Sequence, residues 1–100
     1  MSRRLIVRPE AEADLTEAVL WYEAREAGLG VELTMEVGAA IQRAVEDPQL
    51  HLLMRRRPEV RRVLARRFPR RIFFIVRKDA IVVFAILHAV RQDRHWRKRL

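Results

Sequence analysis

The strongest constraint on this chain lies between residues 71 and 88. Two apolar runs, RIFFIVR (residues 71–77) and AIVVFAILH (residues 80–88), are separated only by Lys78 and Asp79. So short a link between strands makes them an antiparallel hairpin. Both runs are apolar on either face, so the sheet they form must be covered on two sides. In 100 residues, little remains for the second side except the C-terminal tail or another chain.

The first half supplies the cover for one side. Residues 4–8 (RLIVR) read as a short strand. Pro9 then suits the first turn of a helix, and Glu10, Glu12 and Asp14 complement its dipole. Leu15, Ala18, Val19 and Tyr22 form one apolar stripe, and Gly28 and Gly30 stop the helix near Ala27. Leu33, Val37, Ala40, Ile41, Ala44 and Val45 mark a second helix, ended by Glu46, Asp47 and Pro48. The two helices therefore form a hairpin. Residues 49–58 read as a connection anchored by Leu50, Leu52, Leu53 and Met54, and residues 60–68 (VRRVLARRF) as a strand with mixed faces. The expected order is β-α-α-β-β-β over one domain, residues 1–100. This is an α+β fold with a helical hairpin on a mainly antiparallel meander sheet.

Composition narrows the function classes. There is no cysteine, which removes disulfides and thiolate metal sites. No apolar stretch is long enough to cross a bilayer, and no signal peptide precedes the first strand, so a cytoplasmic protein without a membrane partner is expected. Charge is divided unequally. Residues 1–50 hold five basic and ten acidic side chains, whereas residues 51–100 hold sixteen basic and three acidic, balances of −5 and +13. A polyanionic target or an acidic partner for the second half is one reading; a solvated, arginine-rich face is the other.

Few residues offer chemistry. His51, His88 and His95 lack the spacing of a helical metal pair, Ser2 is the only serine, and the glycines fit no phosphate loop. No metal and no cofactor is expected. Arginines remain: Arg61, Arg62, Arg66, Arg67, Arg70, Arg71 and Arg77 on or beside strands, and Arg91, Arg94, Arg97, Lys98 and Arg99 in the tail. Arginine clamps phosphates and stabilises phosphoryl transition states, and a histidine acid–base partner would make metal-free RNA cleavage feasible. The alternative is that these arginines only solvate strand edges. His88, closing a buried strand, fits a structural histidine before a catalytic one. Trp21 and Tyr22 are expected in the core, and Trp96 either anchors an interface or covers the core.

Phe68–Pro69 before RRIFFIVRKDAIVVFAILHAVRQDRHW, with His88, Arg91 and Trp96, resembles the C-terminal half of RelE/ParE-superfamily toxins of type II toxin–antitoxin pairs. The opening RLIVRPEAEADLTEAVLWYE, with Pro9, Asp14 and Leu15, and later Arg61, are similar to that family too. The resemblance implies a bacterial toxin neutralised by a cognate antitoxin whose C-terminal segment wraps it. One branch inhibits DNA gyrase and has no established chemistry; the other cuts mRNA on the ribosome. The second half here lacks tyrosine, and its His88…Arg91…Trp96 ending looks closer to the gyrase-directed ParE branch. That implies a target surface of Arg91, Arg94, Trp96 and Arg97. The ribonuclease alternative implies Arg61 and Arg66 as charge stabilisers with His88 or His95 as acid–base. A third reading is a non-toxic binding module of the same fold.

Overall fold

The computed structural model describes residues 3–100. Strand β1 (Arg4–Val7) leads into helix α1 (Pro9–Arg25), which Pro9 opens. Helix α2 (Leu29–Glu46) follows at once and ends before a short 3-10 turn at Pro48–Leu50. Four strands come next: β2 (Leu52–Arg55), β3 (Val60–Leu64), β4 (Arg70–Val76) and β5 (Ala80–His88). A single helical turn, α3 (Arg94–Arg97), closes the chain. They form one sheet in the order β1-β5-β4-β3-β2, antiparallel throughout except that β1 runs parallel to β5.

The expected α+β architecture is present, with one strand more than the sequence reading contained. Residues 52–55 read as connection in the sequence but pair with Val60, Arg61 and Arg62 at the sheet edge, with an irregularity between Leu53 and Arg55. Four residues with such a break carry too little alternation to mark a strand. Nor do all their neighbours anchor to the core: Leu50 and Leu52 are exposed, whereas Leu53 and Met54 are half-buried.

The link between the helices is set by two glycines and one carboxylate. Gly28 adopts φ 96°, the left-handed conformation that costs glycine least. The Glu23 carboxylate, from α1, accepts hydrogen bonds from the Gly28 and Gly30 amides at 2.9 Å each, satisfying donors at the start of α2. These bonds lower the Glu23 pKa. A Cβ on Gly30 would lie 2.9 Å from Glu23 Oε1 and 3.0 Å from Val19 Cγ1, so a larger residue there would displace the Glu23 carboxylate from the link.

Two apolar layers sandwich the sheet. On the helix side, Ile72, Phe74, Ile81, Val83 and Ile86 pack with Leu33, Val37, Ala40 and Ala44 of α2 and Ala11 and Ala18 of α1. On the other, Phe73, Ile75, Val82, Phe84, Ala85 and Leu87 pack with Trp96. The face assignment along β5 changes parity at Phe84. Phe73 pairs with Ala85 but Phe74 with Val83, so Phe84 is an extra residue, a β-bulge.

Strand β1 reaches only as far as Val83, leaving the outer edge of β5 beyond it without a strand. Side chains take its place. Asp14 Oδ2 accepts from the Ile86 amide at 2.9 Å, and Arg99 donates to the Phe84 carbonyl at 3.2 Å. Arg99 also clamps Asp14 through two bonds of 2.6 and 3.0 Å, which raise its pKa. The side chains of Arg99 and Asp14 are only 24% and 15% exposed, so this pair works in a weaker solvent screen than a surface pair. Asp14→Ala is expected to cost about 2–3 kcal/mol, because it strands the guanidinium and a strand amide together. Breaking the exposed Arg67–Glu32 pair by Arg67→Ala should cost under about 0.5 kcal/mol. Urea denaturation of the two variants side by side checks the contrast.

Candidate functional site

Where the C-terminal ends of α1 and β5 meet the start of β4, the surface opens into a groove of about 600 Å³. Its walls are Glu17, Leu20, Trp21, Tyr22 and Arg25 of α1, and Arg70, Leu87, His88 and Arg91 from the sheet end. Register puts the last group together: Arg70 pairs with His88 across β4 and β5, and the Ala89 amide donates to the Pro69 carbonyl at 2.7 Å.

An aromatic series underlies the cations. Tyr22 meets Trp21 edge-on at 4.9 Å and Phe68 at 5.1 Å between ring centroids. Each ring carries an arginine: Arg25 at 3.3 Å from the Trp21 centroid, Arg70 at 5.6 Å from Tyr22, Arg67 at 5.6 Å from Phe68. A ring face attracts a cation without neutralising it, which leaves Arg70 available, whereas Arg25 also donates to the Trp21 carbonyl at 3.0 Å and Arg67 to Glu32 at 3.4 Å. Arg70 has no carboxylate within salt-bridge distance and its shielded Nε has no hydrogen-bond partner among the described residues. Nδ1 of His88 accepts from the Val90 amide at 3.2 Å, which leaves Nε2 to carry the proton of the neutral ring.

Behind the groove, Arg71 reaches from the opposite face of the sheet. It donates to the Arg91 carbonyl and lies 3.9 Å from Asp93, fixing the turn that presents Arg91. The turn leads into α3, where Trp96 is fully buried, stacked on Phe73 at 5.4 Å and edge-on to Phe84 at 6.5 Å.

The structure scatters the residues singled out from sequence. Arg91 and His88 share the groove, while Arg94 and Arg97 are exposed on α3. Trp96 must be removed from the surface set: its ring fills the space under the tail, where no target can touch it. Trp21, expected in the core, is instead 48% exposed on the groove rim because its side chain points past the stripe defined by Ala18 and Tyr22. Arg61 lies elsewhere, paired in register with Phe74, and is bound by Glu59 at 2.7 Å, the His51 carbonyl at 2.8 Å and Gln49 at 3.0 Å. Arg66 is exposed in the β3–β4 turn. His95 sits on α3, its pKa lowered by partial loss of hydration and then by the cations of Arg91, Lys98, Arg94 and Arg99. His51 is tied to the Arg43 carbonyl at 3.1 Å and packs on Phe74. The groove residues Arg25 and Arg70 were missed as a site, since Tyr22 and Arg70 meet across 48 positions of sequence with no motif to link them.

No protein-family model and no curated protein matches the chain. Among solved structures, a chain of the chromosomal ParDE toxin–antitoxin system from P. aeruginosa superposes with a TM-score of 0.74. It is 17% identical and the match covers 87% of this chain and 96% of that one. The hairpin-on-sheet architecture is therefore the ParE-like fold, as the resemblance in sequence implied. At this identity the likeness is one of fold.

Two measurements check the placement of the tail residues. Trp96→Ala is expected to cost about 3–5 kcal/mol in chemical denaturation, the price of a buried ring rather than of a surface contact. The His95 ring should titrate below 6.5 by NMR, its midpoint rising with added salt as the neighbouring cations are screened. Because the unfolded chain then takes up the proton first, His95 lowers stability as pH falls through 6.5 and adds nothing above it. His95→Gln should remove that acid-side loss.

Proposed function

We propose that this chain is the toxin of a toxin–antitoxin pair, that it inhibits DNA gyrase through the basic surface around Arg91, Arg94 and Arg97, and that a cognate antitoxin neutralises it. The fold shared with a chain of a ParDE system carries this reading. The dispersal of the candidate catalytic residues supports the gyrase branch over the nuclease branch. Arg61 is engaged by Glu59 and two further acceptors, well away from His88, and Arg66 stands exposed in a turn. A reaction needs its acid, base and charge stabiliser within reach of one bond, and this set does not supply that.

Purified protein incubated with gyrase, plasmid and ATP should block supercoiling and accumulate linear, protein-linked DNA. Arg94→Glu with Arg97→Glu should weaken inhibition at least tenfold at a cost in stability of under about 1 kcal/mol, since both side chains are exposed and Arg97 touches the core only through the Trp96 ring. Full inhibition by the folded double variant would overturn the surface assignment.

One observation favours ribosome-dependent mRNA cleavage as a second reading: His88, Arg70 and Arg91 line the same groove. On that reading His88→Gln with His95→Gln ends RNA cleavage and leaves gyrase untouched. Induction of the intact protein without effect on growth would favour the inert binding module over both.

A further inference from the structure

We propose that the outer face of α2 is a homodimer interface, on which a second copy of this chain packs its own α2 antiparallel, with Met35 of each copy seated over Gly38 of the other. The face differs from the rest of the surface. From Val31 to Gln42 the exposed positions are Val31, Thr34, Met35, Gly38, Ala39 and Gln42. None is charged, in a chain of which 34% is charged. The charges nearby are turned aside: Glu32, Glu36 and Arg43 are half-buried, Glu32 pairing with Arg67 at 3.4 Å and Arg43 donating to the Leu64 carbonyl at 2.9 Å. What remains toward solvent is apolar, with Val31 64% and Met35 68% exposed.

Gly38 is the second observation. Glycine is the poorest helix former after proline, and this one lies in the interior of α2. A Cβ there would meet nothing within 4 Å, so packing within one copy gives no reason for it. On an open helix face, a missing side chain leaves a hollow that another chain can enter.

The arrangement of the six positions selects the occupant. A twofold axis passing between Glu36 and Val37 sets Val31 opposite Gln42, Thr34 opposite Ala39 and Met35 opposite Gly38 of the second copy. Every exposed position of the stretch is used and none is left over. The longest apolar side chain falls on the hollow, and symmetry makes that fit twice. A different helix would have to reproduce the spacing, whereas a second copy carries it already. Charge agrees with this. Trp96 and its basic tail pack on the opposite side of the sheet from α1 and α2, so two copies meet through uncharged faces and keep their cations apart. The contact is short, about 17 Å from Val31 to Gln42 at 1.5 Å per residue. It falls below the roughly 1,200 Å² of a stable interface, so a dissociation constant on the order of 10 μM is expected. The interface does not depend on the toxin reading.

Sedimentation equilibrium of the intact chain from about 1 to about 200 μM tests it, and should show a reversible monomer–dimer equilibrium. Gly38→Met fills the hollow and should weaken the dimer at least tenfold. In the dilute monomer the same change should raise the unfolding midpoint, since methionine is the better helix former and the position is open. Adding Met35→Ala to Gly38→Met exchanges large for small on both sides and should recover most of the lost affinity. A monomer across the whole range overturns the interface and leaves the face to a different protein. Tighter association of Gly38→Met also overturns it, because a merely sticky patch gains from added apolar surface. The register is read separately by cross-linking, for which the absence of native cysteine leaves the chain ready. Mixed Thr34→Cys and Ala39→Cys chains should form disulfide-linked dimers under mild oxidation. Thr34→Cys chains alone should not, as their thiols lie about 7.5 Å apart along the helix axis. Equal yields from the two samples would overturn the antiparallel pairing.

Discussion

The fold depends on a strand that is too short. Strand β1 stops at Val7, opposite Val83, because Pro9 turns the chain into α1, while β5 continues to His88. The outer edge of β5 from Phe84 onward would present buried amides and carbonyls with nothing to bond, a cost of about 1–3 kcal/mol for each group. Asp14 and Arg99 meet that demand from opposite ends of the sequence, 85 residues apart. One carboxylate and one guanidinium thereby join the first helix, strand β5 and the tail. With Arg99 held, the preceding turn of helix lies flat on the sheet and Trp96 is brought onto Phe73 and Phe84. The ion pair holds the lid of the second apolar layer at one end, and Arg71 fixes the turn before α3 at the other.

That closure changes what the doubly apolar strands mean. In sequence they demanded a cover, and either the tail or another chain would serve. The tail does it, with Trp96 as the main body of the cover. The apolar side chains left in water lie elsewhere, with Leu20, Val31 and Met35 on the outside of the helical hairpin and Leu52 and Leu64 toward the sheet edge. The demand for a partner is therefore not written in the sheet, where the sequence seemed to place it.

Local rules made most of the framework legible. Pro9, the acids after it and the stripe at three- and four-residue spacing define α1, and the two-residue link at Lys78–Asp79 fixes the β4–β5 hairpin. Period alone did not reveal the bulge at Phe84, because a strand apolar on both faces reads the same before and after its parity changes. Strand β2 escaped for a related reason: Leu52 faces solvent and Arg55 follows an irregular pairing, so no alternation survives to be counted. The groove was hidden by distance. His88 and Arg91 are neighbours in sequence and were singled out, but Arg25, Arg70 and the rings beneath them converge only when α1 is laid across the sheet. Trp96 shows the opposite failure, since a tryptophan among five Arg and Lys residues looks like a contact point until its burial is seen.

Net charge also proves a poor guide to which cations act. Of the arginines in the basic half, Arg61 is bound by Glu59 and two further acceptors, Arg71 holds the turn before α3, and Arg99 serves the strand edge. These are consumed by the fold, and each carries hydrogen bonds it would have to break to touch a ligand. Arg70 lies over the Tyr22 ring instead, where the attraction is weaker and leaves its outward donors free. Arg91, Arg94 and Arg97 lie in solvent. The balance of +13 thus separates into a structural set, a positioned set and a free set. Only the last two can discriminate between partners, the positioned set by geometry and the free set by long-range attraction that salt weakens. A target bound through α3 should therefore be salt-sensitive, because Arg94 and Arg97 act through solvent rather than through a shielded contact.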